Sequence, residues 1–431
     1  MTDTKKTAQL RAEVKDNLMK VILPFWKNNL KDETHGGFYG KVDGNMIPDL
    51  KAPKSVVLNC RLLWTYTRAW KMLDDNECGE LARRAFEYIR DKFWDPVYKG
   101  AYWMLTADGE AGEAEKRAYG QAFLIYSMAE YYRASGDEQA KALAMETLEL
   151  MNRHLLLPKG GYADSAARDW QRDEWVNIWV KNRNGDAMLL NSNMHFFEAI
   201  LSLAEATGDE RVIASLRRQL EFILDTVVDH DLHHLKAGMD ENGDRTDDEI
   251  NFGHDAECSY LLVQAAELIG DTGLIEKAKR TAVEIVNQIY EEGMDKTNGG
   301  VYYVSSCRTG EVNRSKIWWV EAEAVTAFFN CYQLTGQEKY LDAAISVWEY
   351  IKQNMVNYEN GDWYAVGKNQ FTDSQLQKQE KSLIKVFSNG EMAGKGKCPY
   401  HNSRMCYEIM ERTTQYYTGE NPLSNIIKKG D

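Results

Sequence analysis

A repeat of about sixty residues limits what this chain can fold into more than any other feature of its sequence. Glycine followed by aromatic residues recurs as GGFYG at residue 36, GAYWM at 100, GGYAD at 160, GGVYY at 299 and GDWYA at 361, with a weaker copy, HHLKAGMDENGD, at 233. Short aromatic segments next to glycine are typical of turns and brief strands. Six copies therefore predict six successive structural units.

A second signal alternates with the first and marks helix ends. The segments RASGDEQAKAL, EATGDERVIAS, ELIGDTGLIEKA and QLTGQEKYLDAA each place a glycine, then a polar or acidic residue, before a new amphipathic stretch. Glycine is typical just after a helix, and a residue such as aspartate just before one. Each unit is thus predicted to be a helical hairpin followed by a small aromatic turn region.

Six hairpins give about twelve helices, which can close into a ring or stack as an open solenoid. A solenoid needs polar repeats at its two ends, yet the first and last units are as aromatic as the middle ones. The prediction is an all-α fold, an (α/α)6 barrel with short β-hairpins in its connecting loops, in which residues 1–431 form a single catalytic domain. The open solenoid is the alternative.

The composition limits the classes of partner and the cellular locations that are expected for the protein. The formal net charge of -14 argues against nucleic acid or an anionic membrane surface as a partner. No apolar run approaches the roughly 18 residues of a membrane span, and the N-terminal segment lacks a signal-peptide core, so a cytoplasmic protein is expected. The 12 Trp and 23 Tyr suit sugar stacking, although composition alone favours a large aromatic core as their explanation.

One polar or aromatic cluster precedes the glycine turn in every unit, and the N-terminal turns of a barrel's inner helices should meet at one cavity. Two glutamates in WWVEAEAV, Glu321 and Glu323, are expected a turn beyond the tryptophans. The candidate site residues are Arg61, Tyr119, Asn191, His195, His254, Glu257, Trp318, Trp319, Glu323, His401 and Arg404.

Helical spacing suggests how some of these residues interact. His254 and Glu257 are three residues apart, so Glu257 is predicted to orient His254 and raise its basicity. A single helix histidine is more often structural, but three in phase favour acid–base chemistry. The HDAE segment lacks the paired-histidine spacing of zinc sites, so no metal is predicted. His233 and His234 are expected to face solvent.

Several motifs together resemble the N-acylglucosamine 2-epimerase superfamily, most closely its cellobiose 2-epimerase and mannose 2-epimerase branches. They are LPFWKNNLKDETHGGFYG, YYRASGD, GHDAE, WWVEAEAV and KCPYHNSRMC, in order from about residue 20 to 412. The resemblance implies an (α/α)6 barrel that exchanges the C2 proton of an aldose without a cofactor. It makes His254 and His401 the acid–base pair, with His195 assisting ring opening and Arg61 stabilising an enediolate. The remaining candidates would surround the sugar.

The residues suit this chemistry independently. A C2 proton is removable once C1 is a carbonyl, the resulting enediolate needs a fixed cationic donor, and inversion needs a second acid on the opposite face. An aldose–ketose isomerase shares these steps. A glycoside hydrolase on the same barrel would instead need two carboxylates, and a non-catalytic binder would give the histidines no role.

One difference from the family's sequence pattern bears on the size of the substrate. Family members that act on disaccharides tend to carry a tryptophan five residues before the last histidine, where this chain has Gly396. The prediction is therefore D-mannose and D-glucose interconversion, with epimerisation of cellobiose at its reducing end as the alternative. Residues 169–186 are predicted to form a mobile loop over the cavity. The protein is expected to be a monomer or a homodimer.

Overall fold

Five helical hairpins follow one another along the chain, and the helices at its two ends form the sixth pair. The computed structural model describes residues 3–172, 187–367 and 390–418. The inner helices are α3 (Val56–Leu73), α5 (Ala118–Ser135), α7 (Leu190–Thr207), α9 (Phe252–Ile269), α11 (Trp318–Thr335) and α13 (Tyr400–Thr418). The outer helices are α1 (Asp3–Asn17), which continues through a π-helical turn into α2 (Leu23–Asn29), α4 (Asn76–Tyr88), α6 (Glu138–His154), α8 (Glu210–Phe222), α10 (Thr272–Gln288) and α12 (Glu338–Asn354).

The inner helices form a closed ring. Each inner helix packs against the next one in the chain, and α13 packs back against α3. The first five inner helices also pack against the outer helix that follows them, whereas α13 packs against α1. The last inner helix and the first outer helix thus complete the sixth pair. This closure confirms the (α/α)6 barrel and excludes the open solenoid. No helix within the described ranges has the length and apolar character of a membrane span.

The predicted glycine punctuation sets the ends of the inner helices. Gly136, Gly208, Gly270 and Gly336 follow α5, α7, α9 and α11 with φ of 73°, 63°, 75° and 68°. A left-handed φ costs glycine little, which is why the helix stops there. The next residue is an aspartate in three of these turns, and its side chain accepts N–H groups from the first turn of the following outer helix.

Short strands join neighbouring units into a crown at the N-terminal ends of the inner helices. Antiparallel pairs connect β1 (Lys54–Ser55) with β2 (Met104–Leu105), β3 (Lys116–Arg117) with β4 (Ser165–Ala166), and β5 (Met188–Leu189) with β8 (Gly238–Met239). A three-stranded sheet contains β9 (Glu249–Asn251), β10 (Val304–Ser306) and β11 (Val312–Asn313), and β6 (Val228–Asp229) pairs with β7 (His234–Leu235). Isolated bridges from Ile317 to Val366 and from Val42 to Ala393 complete the crown.

Buried lysine–aspartate pairs fix this crown to the barrel. A lysine just before the inner helix reaches an aspartate in its own unit's glycine turn, and in three units it also donates to a carbonyl of that turn. The four pairs are Lys54–Asp32 at 2.8 Å, Lys116–Asp95 at 3.1 Å, Lys316–Asp295 at 2.9 Å and Lys397–Asp362. The loops beside the inner-helix tips are therefore anchored by charge as well as by packing.

In the fourth unit, a histidine–aspartate pair takes the place of the lysine–aspartate pair. His234 Nδ1 lies 2.6 Å from Asp255 Oδ2, and both side chains are buried. The prediction that His234 faces solvent is therefore wrong, because Asp255 of α9 holds its ring inside the loop. Its neighbour His233 is partly exposed.

Candidate active site

A cavity of about 460 Å³, called here the front cavity, opens at the N-terminal ends of the inner helices. Nine of the eleven candidate residues line it, and they come from all six inner helices: Arg61, Tyr119, Asn191, His195, His254, Glu257, Trp318, Trp319 and His401. Residues up to 340 positions apart thus meet at one place, as the barrel requires. Glu323 and Arg404 are buried but do not line this cavity.

The ends of the helices give the front cavity a positive electrostatic character. All six inner helices begin beside it, and the N-terminus of each helix carries a partial charge of roughly +0.5. The Asn251 side chain caps α9 by accepting the N–H groups of Gly253 and His254, both at 3.2 Å. A site of this kind favours an anion that develops during a reaction.

Three histidines share the front cavity, but their partners differ. His195 Nδ1 lies 3.0 Å from Glu198 Oε2, and His401 Nδ1 lies 2.6 Å from Glu323 Oε1. In both, the carboxylate holds one ring nitrogen and leaves Nε2 for a substrate. His254 Nδ1 has no hydrogen-bond partner among the described residues.

The rings themselves lie close together. The Trp319 ring centre is 5.0 Å from that of His254 and 5.6 Å from that of His401. The rings of His195 and His401 are 6.4 Å apart. One tryptophan thus contacts two histidines from two different helices.

Burial keeps two of these imidazoles in their basic form. Desolvation lowers the pKa of His254 to about 3, with a smaller contribution from His195. Desolvation also lowers the pKa of His401, and the charges of Arg61 and Arg404 act in the same direction. Both rings are therefore neutral near pH 7 and able to accept a proton.

Arg404 connects the two histidine–glutamate pairs from behind the cavity. Its guanidinium forms salt bridges with Glu198, with Glu257 and, at 2.5 Å, with Glu323. Burial alone would raise the pKa of Glu198, but Arg404 and the hydrogen bond from His195 hold it below its ordinary value. For Glu257 burial prevails over Arg404, and its pKa is raised. Three carboxylates from three helices thus share one guanidinium.

Arg61 of α3 lines the front cavity itself. Its Nη2 donates to the Tyr119 hydroxyl at 2.7 Å, and its Nη1 donates to Cys398 Sγ at 3.0 Å. The guanidinium also lies over the rings of Phe123, at 4.2 Å, and Tyr400, at 4.8 Å. These contacts leave a fixed, charged donor at the cavity wall, which suits a negatively charged intermediate.

Four predicted placements need correction. Glu257 does not orient His254, because its Oε1 is bound by Arg404 and its buried Oε2 has no hydrogen-bond partner in the described ranges. Arg404, predicted as a sugar contact, lies behind the cavity, as does Glu323. Glu321 is buried, accepts the N–H of Val301 at 3.0 Å and does not line the front cavity.

The front cavity contains less aromatic surface at its mouth than the family pattern implies. Gly396 and Lys395 are both exposed there, and Tyr303 lines the cavity beside Trp319. Of the predicted mobile loop 169–186, residues 173–186 lie outside the described part of the chain.

Two groups of side chains have the spacing of a metal site. They are His195, Glu198 and Glu257, and Glu257, Glu323 and His401, with ligand atoms within 4.8 Å of one another in each group. All three glutamates already bind Arg404. A cation would have to compete with that guanidinium for the same oxygen atoms, so these groups fit an internal ion network better than a metal.

Sequence reasoning missed four residues of this network: Glu198, Tyr260, Cys398 and Tyr400. Tyr260 donates to Glu323 Oε2 at 2.7 Å, and Tyr400 donates to Glu198. Glu198 was detectable, because it follows His195 by three residues on the same helix. Cys398 and Tyr400 stand within the KCPYHN segment next to His401.

Comparisons with known proteins identify the family of the chain. The sequence profile of the N-acylglucosamine 2-epimerase (GlcNAc 2-epimerase) family matches residues 36–382. A cellobiose 2-epimerase of Ruminococcus albus is 33% identical over 402 residues, which cover 93% of this chain and 98% of that protein. A D-mannose isomerase of Marinomonas mediterranea is 22% identical over 401 residues, covering 89% and 93%.

A solved structure shows the same architecture. The cellobiose 2-epimerase of Bacillus thermoamylovorans B4167 matches with a TM-score of 0.85 at 28% identity, covering 94% of this chain and 100% of that one. The epimerases named here belong to the isomerase class of enzymes. This chain is therefore a member of the N-acylglucosamine 2-epimerase family of sugar epimerases.

Proposed function

We propose that the protein inverts C2 of a free aldose and interconverts D-mannose and D-glucose. The observation that carries the proposal is the pair of neutral imidazoles, His254 and His401, on different helices and in contact with the same tryptophan in one cavity. A sugar stacked on Trp319 between them has an imidazole near each face of C2.

The reaction begins with ring opening, in which His195 transfers the proton between the ring oxygen and the hydroxyl at C1. One imidazole of the His254–His401 pair then removes the C2 proton, and the electron pair moves onto the C1 oxygen to form an enediolate. Arg61 and the helix N-termini stabilise this anion. The other imidazole, which takes up a proton from solvent when the sugar binds, delivers that proton to the opposite face, and the two histidines end with their protonation states exchanged.

The two histidines are not equivalent in this scheme. Glu323 accepts from Nδ1 of His401 and so stabilises its imidazolium, whereas no described carboxylate contacts His254 Nδ1. Glu257 Oε2 is free to accept from a sugar hydroxyl.

The mouth of the cavity supports a monosaccharide. Gly396 provides no ring on which a second sugar can stack, and loss of one aromatic platform removes about 1 kcal/mol of binding. Cellobiose is the second candidate, because relatives named cellobiose 2-epimerase are more similar to this chain than the D-mannose isomerase is. Tyr303 at the mouth is the described residue available to contact its outer sugar.

Incubation of the protein in D2O with mannose and, separately, with cellobiose tests the proposal. NMR should find deuterium at C2 of glucose formed from mannose, with a higher kcat/KM for mannose than for cellobiose. Fructose as the main product indicates an aldose–ketose isomerase, glucose released from cellobiose indicates a hydrolase, and either result contradicts epimerisation.

A further inference from the structure

A second cavity, called here the rear cavity, lies at the opposite end of the barrel. It measures about 570 Å³ and is lined by side chains from all six inner helices. None of the described residues lines both cavities. The rear cavity is therefore a separate compartment on the barrel axis, and the proposed sugar reaction gives it no role.

The floor of the rear cavity is the back of the catalytic network. Glu198 and Arg404 both line it, and Glu198 is the residue that holds His195. A ligand in the rear cavity could therefore contact Glu198, which is hydrogen-bonded to His195 of the front cavity.

Acidic groups are in excess on the walls above this floor. Five glutamates and four cations line them, and four of the glutamates each have a close cation. The pairs are Arg68–Glu411 at 2.5 Å, Lys279–Glu267 at 2.8 Å, Arg412–Glu408 at 2.9 Å and Arg133–Glu130. The fifth glutamate, Glu205, shares Arg133 with Glu130 at the longer distance of 3.6 Å.

The dipoles of the inner helices add to the excess of negative charge in the rear cavity. All six inner helices end on this side, and the C-terminus of each helix carries a partial negative charge of roughly -0.5. A ligand that brings positive charge to Glu205 is therefore favoured, and an anion is disfavoured.

A hydrogen-bond donor in the same cavity indicates what else the ligand carries. Asn330 is 4% exposed, and its Oδ1 accepts from Arg412 Nη1 at 2.8 Å. Its Nδ2 has no hydrogen-bond partner among the described residues. A buried donor of this kind needs an acceptor, such as a hydroxyl oxygen. A bare metal ion offers none.

We propose that the rear cavity binds a small hydroxylated amine, with its ammonium group beside Glu205 and a hydroxyl oxygen accepting from Asn330 Nδ2. Burial raises the pKa of Glu205 to about 7, offset in part by Arg133 and Arg68, while Glu130 and Glu408 act with burial. An ammonium group favours the ionised carboxylate, so binding near pH 7 releases protons from Glu205.

Isothermal titration of the full-length protein with 1-amino-1-deoxysorbitol and with sorbitol tests this site. The two compounds differ only in the amine, and neither has a carbonyl that could be epimerised. The amine should bind at least about tenfold more tightly. Its heat should depend on the ionisation enthalpy of the buffer, which reports proton release.

Two variants locate the binding. Glu205→Gln should weaken amine binding at least about tenfold and abolish the buffer dependence, whereas Glu267→Gln, at a glutamate that keeps its own lysine, should change neither. Glu205→Gln removes an incompletely paired charge, so it should not lower the thermal midpoint. Equal binding of the two compounds, unchanged binding in Glu205→Gln, or displacement of the amine by equimolar Mg²⁺ would each overturn the proposal.

Discussion

Replacement of Glu323 by glutamine tests whether the carboxylate behind His401 contributes to turnover. Glutamine has the same shape, and its amide oxygen can still accept from Nδ1 of His401, so the substitution removes the charge and little else. A charge-assisted hydrogen bond contributes about 1.5–3 kcal/mol and a neutral one about 0.5–1.5 kcal/mol. The bond at 2.6 Å should therefore lose about 1–2 kcal/mol, or roughly 5- to 30-fold in kcat.

Folding should survive this change, because Glu198 and Glu257 still neutralise Arg404. Tyr260→Phe is the matched control: it removes the hydrogen bond to the other oxygen of Glu323 but leaves the charge beside His401 in place, so it should cost less than about threefold in kcat. Loss of the charge also lowers the pKa of His401, so any limb of the pH–rate profile that reports this residue should move to lower pH. The reasoning is refuted if Glu323→Gln keeps kcat within twofold of the parent, or if Tyr260→Phe costs as much.

Three further predictions concern the mouth, the crown and the loop histidine. Gly396→Trp should raise kcat/KM for cellobiose about fivefold relative to mannose, since it restores an aromatic platform; an unchanged ratio of initial rates would contradict this. Lys397→Met should lower the free energy of unfolding by about 3–5 kcal/mol, because it leaves a buried aspartate without its lysine. Lys116→Met should lower the free energy of unfolding by less, because Arg168 remains 2.8 Å from Asp95, the partner of Lys116. Equal urea midpoints for the two variants would argue against this role of the lysine–aspartate pairs. Burial lowers the pKa of His234, but the interaction with Asp255 outweighs burial and the pKa is raised in the folded protein. The histidine therefore stabilises the fold below the pKa of the unfolded state, and this stabilisation is lost as the pH rises through the folded pKa. The urea midpoint of the parent should therefore fall more than that of His234→Gln between pH 6 and 8, and parallel falls would be the contrary result.

Much of the fold was predictable from signals repeated along the sequence. The glycine turns mark where each inner helix stops, and they recur often enough to count the units. The inner-helix tips of a closed ring must converge, so the positions of His195, His254 and His401 followed without knowledge of side-chain contacts. The buried lysines beside four of the turns were also present in the sequence, but a charged residue before a helix is ordinarily expected to face solvent.

The side-chain network was not predictable, because local spacing does not decide between competing partners. His195 with Glu198 and His254 with Glu257 have the same three-residue spacing, yet only the first pair is hydrogen-bonded. The difference arises from Arg404, which binds both glutamates from 206 and 147 residues away. Glu198 has a second oxygen, which its histidine contacts, whereas the second oxygen of Glu257 has no hydrogen-bond partner among the described residues.

The most direct test of two histidines acting on opposite faces is solvent exchange in His254→Ala and His401→Ala. Each purified variant is incubated in D2O with mannose and, separately, with glucose, and deuterium at C2 of the recovered sugar is measured by NMR. Each variant should lose epimerisation but still exchange the C2 hydrogen of one sugar, and the sugar should differ between the two variants. Exchange of the same sugar by both variants, or epimerisation that survives in either one within tenfold of the parent, would contradict the mechanism.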